Sequence, residues 1–239
     1  MKHPILLLIT LWMSQLIHGT EQKFIIADTI RCDSFLNYKY TDNRGGGYAE
    51  WNGIRNIRTV LPGILYRSGG NGLYNKLLQR PNDGPMTFQG VLNLYEMGFD
   101  KVYYLYASRF NTQYPESVQQ LLSQIGIEYK SIVPGNDSLA NVLLRSVYQT
   151  IQSPEAGPVL VHCWNGWHMS GLISAYALMQ FCDFTGKQAW EYWRKNTDGN
   201  DKGFDKVKNR ILSFKPDPAM LLSDREKSEF CPCQYPSEN

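Results

Sequence analysis

Apolar positions fall along this chain in two rhythms. Lys101–Ala107, Ile127–Val133 and Val159–Val161 are short apolar runs of strand length, the last of them introduced by Pro158. Between them, helical spacing recurs. Phe88, Val91, Leu92 and Tyr95 form one apolar stripe, and Val118, Leu121, Leu122 and Ile125 form a second behind Pro115. Thr87 is placed to cap the first helix, and Gly98 and Gly126 are placed to end the two. Leu139–Ile151 and the almost wholly apolar Leu172–Phe181 read as further helices, followed by an amphipathic Lys187–Arg194 and a last helix within Gly203–Phe214. Strands alternating with helices predict an α/β fold, with a central, mainly parallel sheet flanked by helices on both faces. Lys215-Pro-Asp-Pro218 then breaks helix, and a polar tail is expected from there to Asn239.

The first 60 residues do not follow this pattern. Lys2 ahead of an apolar stretch from Ile5 to Ile17, with Gly19 as a small residue before a cut, reads as an export signal over residues 1–19. Ser14 and Gln15 interrupt the stretch and make it too short to favour a spanning helix; the alternative is an uncleaved anchor. Residues 20–60 read as an N-terminal extension, with a candidate strand at Lys23–Ala27, a flexible turn at Asn43–Gly47 and an aromatic pair, Tyr48 and Trp51.

Composition narrows the function classes. With 24 Lys and Arg against 22 Asp and Glu, charge is nearly balanced, which argues against a nucleic-acid partner or a polybasic membrane surface. Export would put the five cysteines in an oxidising compartment. Setting Cys163 aside as a loop thiol leaves Cys32, Cys182, Cys231 and Cys233. Cys32 is then expected to pair with Cys231 or Cys233, with Cys182 as the fourth partner or a buried thiol. The Cys231-Pro-Cys233 tail offers two thiols without nearby histidines, a weak metal site.

The chemistry concentrates in His162-Cys163-Trp164-Asn165-Gly166-Trp167-His168-Met169-Ser170-Gly171, the loop that joins the Val159 strand to the Leu172 helix. Such a loop presents backbone N–H groups at the positive end of the helix dipole, and both features favour a bound anion. The same surroundings favour the thiolate of a cysteine at the rim, which makes Cys163 a candidate nucleophile.

This string resembles the phosphate-binding loop of the cysteine-based protein-tyrosine and dual-specificity phosphatases, whose pattern is His-Cys, five residues, Arg, Ser or Thr, Gly. Met169 stands where the family has arginine. Leu61–Gly69 is similar to the family segment in which a short strand ends in Tyr-Arg-Ser, so the resemblance covers residues 61–214. It implies that Cys163 is the nucleophile, that Ser170 supplies a hydroxyl, that residues 164–169 line the anion, and that His162, Arg67 and Gly171 support the loop. Asp137, by its place upstream of the cysteine, matches the general acid that protonates the leaving oxygen; read from the residues alone, Asp137-Ser138 is an ordinary helix N-terminus, and both roles coexist if Ser138 is the cap and Asp137 lies one residue outside it.

The departure at Met169 bears on activity. A thioether offers neither charge nor N–H in place of a forked cation. Loss of one preorganised donor typically costs about 10²–10³ in rate, so phosphomonoester hydrolysis is expected to be weakened, lost or redirected. Three readings follow. Cys163 could act on a modified substrate, with His168 as a pH-dependent cation and Trp164 and Trp167 stacked on a ring. The chain could instead be a pseudophosphatase, a binding module for a phosphorylated, sulfated or sugar ligand. The third reading draws on His168, Cys163 and Met169 as a soft set suited to copper. The tryptophans also admit a simpler role, packing the loop against the sheet. No organic cofactor or dedicated metal site is expected, and the expected partner is an anionic small molecule or protein.

Overall fold

The computed structural model describes residues 32–43, 51, 54–70, 86, 88–106, 116–153 and 155–232. The expected export signal, the Lys23–Ala27 strand and the Tyr48 position lie outside the described residues. Residues 32–239 form one unit.

In chain order the elements are α1 (Cys32–Asn37), β1 (Arg55–Leu61), β2 (Leu65–Gly69), α2 (Phe88–Glu96), β3 (Lys101–Tyr104), α3 (Glu116–Gln124), β4 (Glu128–Ser131), α4 (Asp137–Gln152), β5 (Val159–Cys163), α5 (Met169–Phe181), α6 (Gly186–Lys195), α7 (Asp205–Ser213) and α8 (Asp224–Phe230). The strands form one sheet in the order β1-β2-β5-β3-β4. Only β1 runs antiparallel, to β2; the β2–β5, β5–β3 and β3–β4 pairs are parallel. The expected α/β layout, mainly parallel, is therefore what the chain adopts.

Register explains the two covered faces. Tyr66, Leu160, Val102 and Tyr129 line up across the strands and share one face. Leu160 and Val102 are packed there with Val91 and Leu94 of α2 and Leu122 of α3. Arg67, Val161 and Tyr103 share the other face. Tyr103 meets Ser146 of α4 there, and Arg67 reaches Tyr192 of α6. α5 has no polar stripe to offer solvent: Leu172, Ile173, Ala175, Tyr176, Leu178 and Phe181 are all buried, as expected of a helix apolar all round. Each such large side chain stabilises the fold by about 1.5–3 kcal/mol.

The structure adds detail to the expected outline at three places. The boundary at residues 60/61 falls inside β1, because the apolar residues Ile57, Val60 and Leu61 are wholly buried as part of one strand. Within the polar tail Ser223 and Glu226 form a reciprocal capping box that starts α8. Cys182 is not a buried thiol but is bonded to Cys231, with Cα atoms 5.6 Å apart, which fastens the end of α8 to the end of α5. Cys233 lies outside the described residues, as does the side chain of Cys32.

Candidate functional site

β5 is the middle strand of the sheet and ends at Cys163; the chain then turns through Trp164–His168 and enters α5 at Met169. The loop thus sits at the C-terminal end of a parallel strand, where open α/β sheets bind ligands. Gly166 makes the turn possible. Its φ is +74°, and a Cβ there would lie 2.5 Å from the Gly69 nitrogen and 2.6 Å from the Ser68 carbonyl carbon. Gly69 meets the loop equally closely, with a hypothetical Cβ 2.8 Å from the carbonyl carbon of Asn165, so β2 and the loop pack backbone to backbone.

Cys163 is 4% exposed, and its Sγ lies 3.4 Å from Ser170 Oγ, in the first turn of α5. With sulfur ionised, the hydroxyl is the donor of that pair. His168 occupies the cap position without a side-chain hydrogen bond to the helix, so it leaves the N-terminal N–H groups of α5 to another acceptor.

The loop is held from behind by its carbonyl oxygens. That of Trp164 accepts from Arg55 Nη2 at 2.5 Å, and that of Asn165 from Asn56 Nδ2 at 2.7 Å. The Gly166 oxygen accepts from Arg67 Nη2 at 2.5 Å and Arg58 Nη1 at 3.4 Å. Those of Trp167 and His168 accept from Arg67 Nη2 at 2.9 Å and Trp193 Nε1 at 3.0 Å. Five consecutive carbonyls are thus gripped by donors rooted elsewhere in the fold. A trans peptide sets each C=O opposite the next N–H, so the grip on Gly166, Trp167 and His168 turns the N–H groups of Trp167, His168 and Met169 away from the arginines.

Arg67 is wholly buried, and its guanidinium also contacts Tyr192 Oη at 3.2 Å and the Asn196 carbonyl at 3.5 Å. These bonds commit it beneath the loop, in a structural place, and not to the position of the absent loop arginine. Gly171 admits it: a Cβ there would lie 3.0 Å from Arg67 Nη2 and 3.0 Å from Trp193 Cδ1.

The loop side chains face several ways. Trp164 stacks on Tyr106 at a ring separation of 4.1 Å and donates to Tyr104 Oη at 2.8 Å, which packs it against the end of β3. Trp167 Nε1 donates to Asp198 Oδ2 at 3.0 Å. His168 donates from Nε2 to the Asn200 carbonyl at 2.7 Å and stacks on Phe204 at 3.9 Å. Burial lowers the basicity of His168 more than the Asn200 carbonyl raises it, and Arg67 lowers it further. The ring expected to act as a pH-dependent cation, or with Cys163 and Met169 as a copper ligand, is thus less basic than an ordinary imidazole, and its Nε2 is engaged by the Asn200 carbonyl. Among the described residues no group of three or more His, Cys, Asp or Glu is placed to hold a metal. Met169 is half-buried.

His162 is fully buried between Tyr104, which it stacks at 4.8 Å, and Tyr129, whose hydroxyl is 2.8 Å from Nε2; burial pushes its ring down to about 3. Asp137 is the first residue of α4, and the cap is Asn136, whose Oδ1 accepts from the Leu139 nitrogen at 3.0 Å. Ser138 is therefore not the cap. The Asp137 side chain lies outside the described residues.

Sequence reading missed Arg55, Asn56, Arg58, Trp193 and Asp198. Burial would raise the Asp198 carboxyl, but Lys39 at 2.5 Å, Arg58 at 3.4 Å and the Trp167 indole together hold it below the ordinary carboxylate range. The legible signal was two arginines within the apolar run Ile54–Leu61, since cations in a buried strand need partners.

No family model matches the chain, and no curated protein matches it. Solved structures similar to it include the core catalytic domain of the PP-IP phosphatase Siw14 from S. cerevisiae in complex with citrate, at 16% identity and TM-score 0.46, covering 68% of this chain and 86% of that one. P. aeruginosa TpbA is similar at 17% identity and TM-score 0.45, covering 65% and 85%. A putative phosphatase (DUF442) from Shewanella putrefaciens is similar at 15% identity and TM-score 0.46, covering 70% and 98%. In this chain the sheet order is β1-β2-β5-β3-β4 and the Cys163 loop joins β5 to α5, an open, mainly parallel α/β arrangement. Fold alone assigns neither activity nor substrate.

Proposed function

We propose that this chain is an exported protein of the cysteine-dependent phosphatase superfamily that binds a tetrahedral oxyanion in the Cys163 loop, with phosphomonoester hydrolysis weakened or redirected by Met169. The observation that supports this reading is the row of five loop carbonyls gripped from behind, in a loop that runs from a buried cysteine to a helix N-terminus; peptide geometry then turns the loop N–H groups to the opposite side. In the catalytic form of the reading, Cys163 Sγ attacks phosphorus, the ester P–O bond breaks, and the leaving oxygen takes a proton from Asp137. Water then attacks the cysteinyl phosphate and gives a proton to the Asp137 carboxylate, the P–S bond breaks, and phosphate leaves with the thiolate and the acid restored. The ligand is a phosphorylated or similar anionic small molecule or protein. Export, to the periplasm or the exterior, rests on residues 1–19 and is favoured by the Cys182–Cys231 disulfide, since such bonds persist in oxidising compartments. Among the described residues no helix is long and apolar enough to cross a membrane.

Turnover of a small aryl phosphate by the mature protein, Cys163→Ser and Met169→Arg tests the reading. Wild-type activity lost in Cys163→Ser establishes a cysteine-dependent enzyme. The half-buried thioether at Met169 favours a second reading, a binding module on the same scaffold, and the result expected for it is an inactive wild type with activity appearing in Met169→Arg. Wild-type activity that survives in Cys163→Ser, or a wild type that neither turns over nor binds phosphate, overturns the proposal.

A further inference from the structure

Three residues of β1 meet three successive carbonyls of the loop: Arg55 meets Trp164, Asn56 meets Asn165, and Arg58 meets Gly166. A regular strand forbids this. Side chains three apart point to opposite faces, so Arg55 and Arg58 would diverge. The β1–β2 register shifts between Arg55 and Arg58, and Asn56 inside that shift has φ +51°. The bulge adds a residue to β1, restores the parity of the two arginines and throws both onto the loop. Asparagine tolerates the left-handed conformation, and its amide fills the place between them.

The charges behind the loop do not cancel. Arg58 and Arg67 are both wholly buried and donate to the same oxygen, that of Gly166. Asp198 is the one carboxylate paired with either among the described residues, it meets only Arg58, and it is shared with Lys39. Two adjacent buried cations are costly to retain without an anion. Burial and Arg67 push Arg58 down to about 10, which leaves it charged at neutral pH. A guanidinium bonded to a peptide oxygen polarises that peptide and strengthens its N–H on the far side as a donor.

We infer that Arg58, thrown onto the loop by the Asn56 bulge, is the positioning residue whose charge draws the oxyanion into the Cys163 loop, acting through the backbone in place of a cation at position 169. This rests on the oxyanion reading above and supplies the source of its charge.

Calorimetric titration of inorganic phosphate into the full chain tests it. Arg58→Met removes the charge at similar length and sacrifices only bonds of 3.3–3.4 Å, whereas Arg58→Lys keeps the charge without the fork. The expected result is a loss of phosphate affinity of about tenfold or more in Arg58→Met, retention within about threefold in Arg58→Lys, and recovery in the double variant Arg58→Met with Met169→Arg. Asp198→Asn, which can still accept from Trp167 but no longer neutralises Arg58, is expected to bind phosphate about threefold more tightly than wild type. A role confined to stability would lower the melting temperature of Arg58→Met and leave these affinities in place. Should Arg58→Met lose its circular-dichroism signal, Asp198→Asn decides, and an unchanged affinity there overturns the inference. A wild type that fails to bind phosphate removes the oxyanion reading and this inference with it; a wild type that binds, with Arg58→Met equal to it, removes only the role of Arg58.

Discussion

Arg58 and Arg67 converge on a single atom, the carbonyl oxygen of Gly166, at 3.4 and 2.5 Å. One comes from the antiparallel edge strand and the other from its parallel-paired neighbour. The loop's shape is therefore a property of the sheet and not of the loop alone. The difference in distance sets the two arginines' weights: Arg67 carries the geometry, and Arg58 adds chiefly charge.

Arg67→Met is expected to destabilise the protein. Its removal takes a donor from the carbonyls of Trp167 and Asn196 and a partner from the Tyr192 hydroxyl, and leaves the long bond from Arg58 on Gly166. Each unsatisfied buried group costs about 1–3 kcal/mol, and the relieved desolvation of the guanidinium offsets part of the sum, so a net loss of about 2–4 kcal/mol is expected in urea unfolding. A variant as stable as wild type would show that these bonds carry no net weight.

Gly166→Ala combines a positive φ with overlap against backbone atoms that cannot rotate away. A destabilisation of roughly 2–4 kcal/mol is expected, together with loss of phosphate binding. Gly199→Ala is the control: φ is +80° there, but nothing lies within 4 Å of the added carbon, so only the conformational part should remain.

His162 gives stability a pH dependence. Its folded value, about 3, is below the unfolded value near 6.5, so the unfolded chain binds the proton first. Its contribution is fully present above pH 6.5 and is lost progressively as pH falls towards 3. Urea midpoints measured from pH 7 to pH 4 should fall more steeply for wild type than for His162→Gln; parallel curves would remove this assignment.

Breaking the Cys182–Cys231 bond by reduction, or with Cys182→Ser and Cys231→Ser together, opens a link across 49 residues. A loss of about 2–4 kcal/mol is expected, read as a lower melting temperature. Peptide mapping without reductant should recover the Cys182–Cys231 pair. Recovery of Cys231 linked to another cysteine would contradict the bond described here.

Much of the fold was legible in the chain because its signals are local. The stops at Gly98 and Gly126 are glycines that take positive φ, at +82° and +84°, and each of the two helices ends within two residues of its stop. Lys101–Ala107 was read too long because its apolar run continues past the last ladder pair, Tyr104 with His162 and Ser131. The α4 cap was misplaced because Asn136, Asp137 and Ser138 are all good caps, and only the backbone turn decides among them. β1 crosses the expected boundary at residue 60, and its alternation is interrupted by two arginines and an asparagine. That break was the bulge itself.

By itself the sequence determined the alternation of strands and helices from α2 to α7 and put a cysteine loop between a buried strand and an apolar helix, because periodicity and turn chemistry act over a few neighbouring residues. Tertiary structure alone decided what stands behind that loop. Arg55 and Trp164 are 109 positions apart, and their meeting depends on a bulge, a strand register and the packing of β1 beside β2. Local patterns carry no record of such contacts, because the donors find their carbonyls only when the whole sheet has formed.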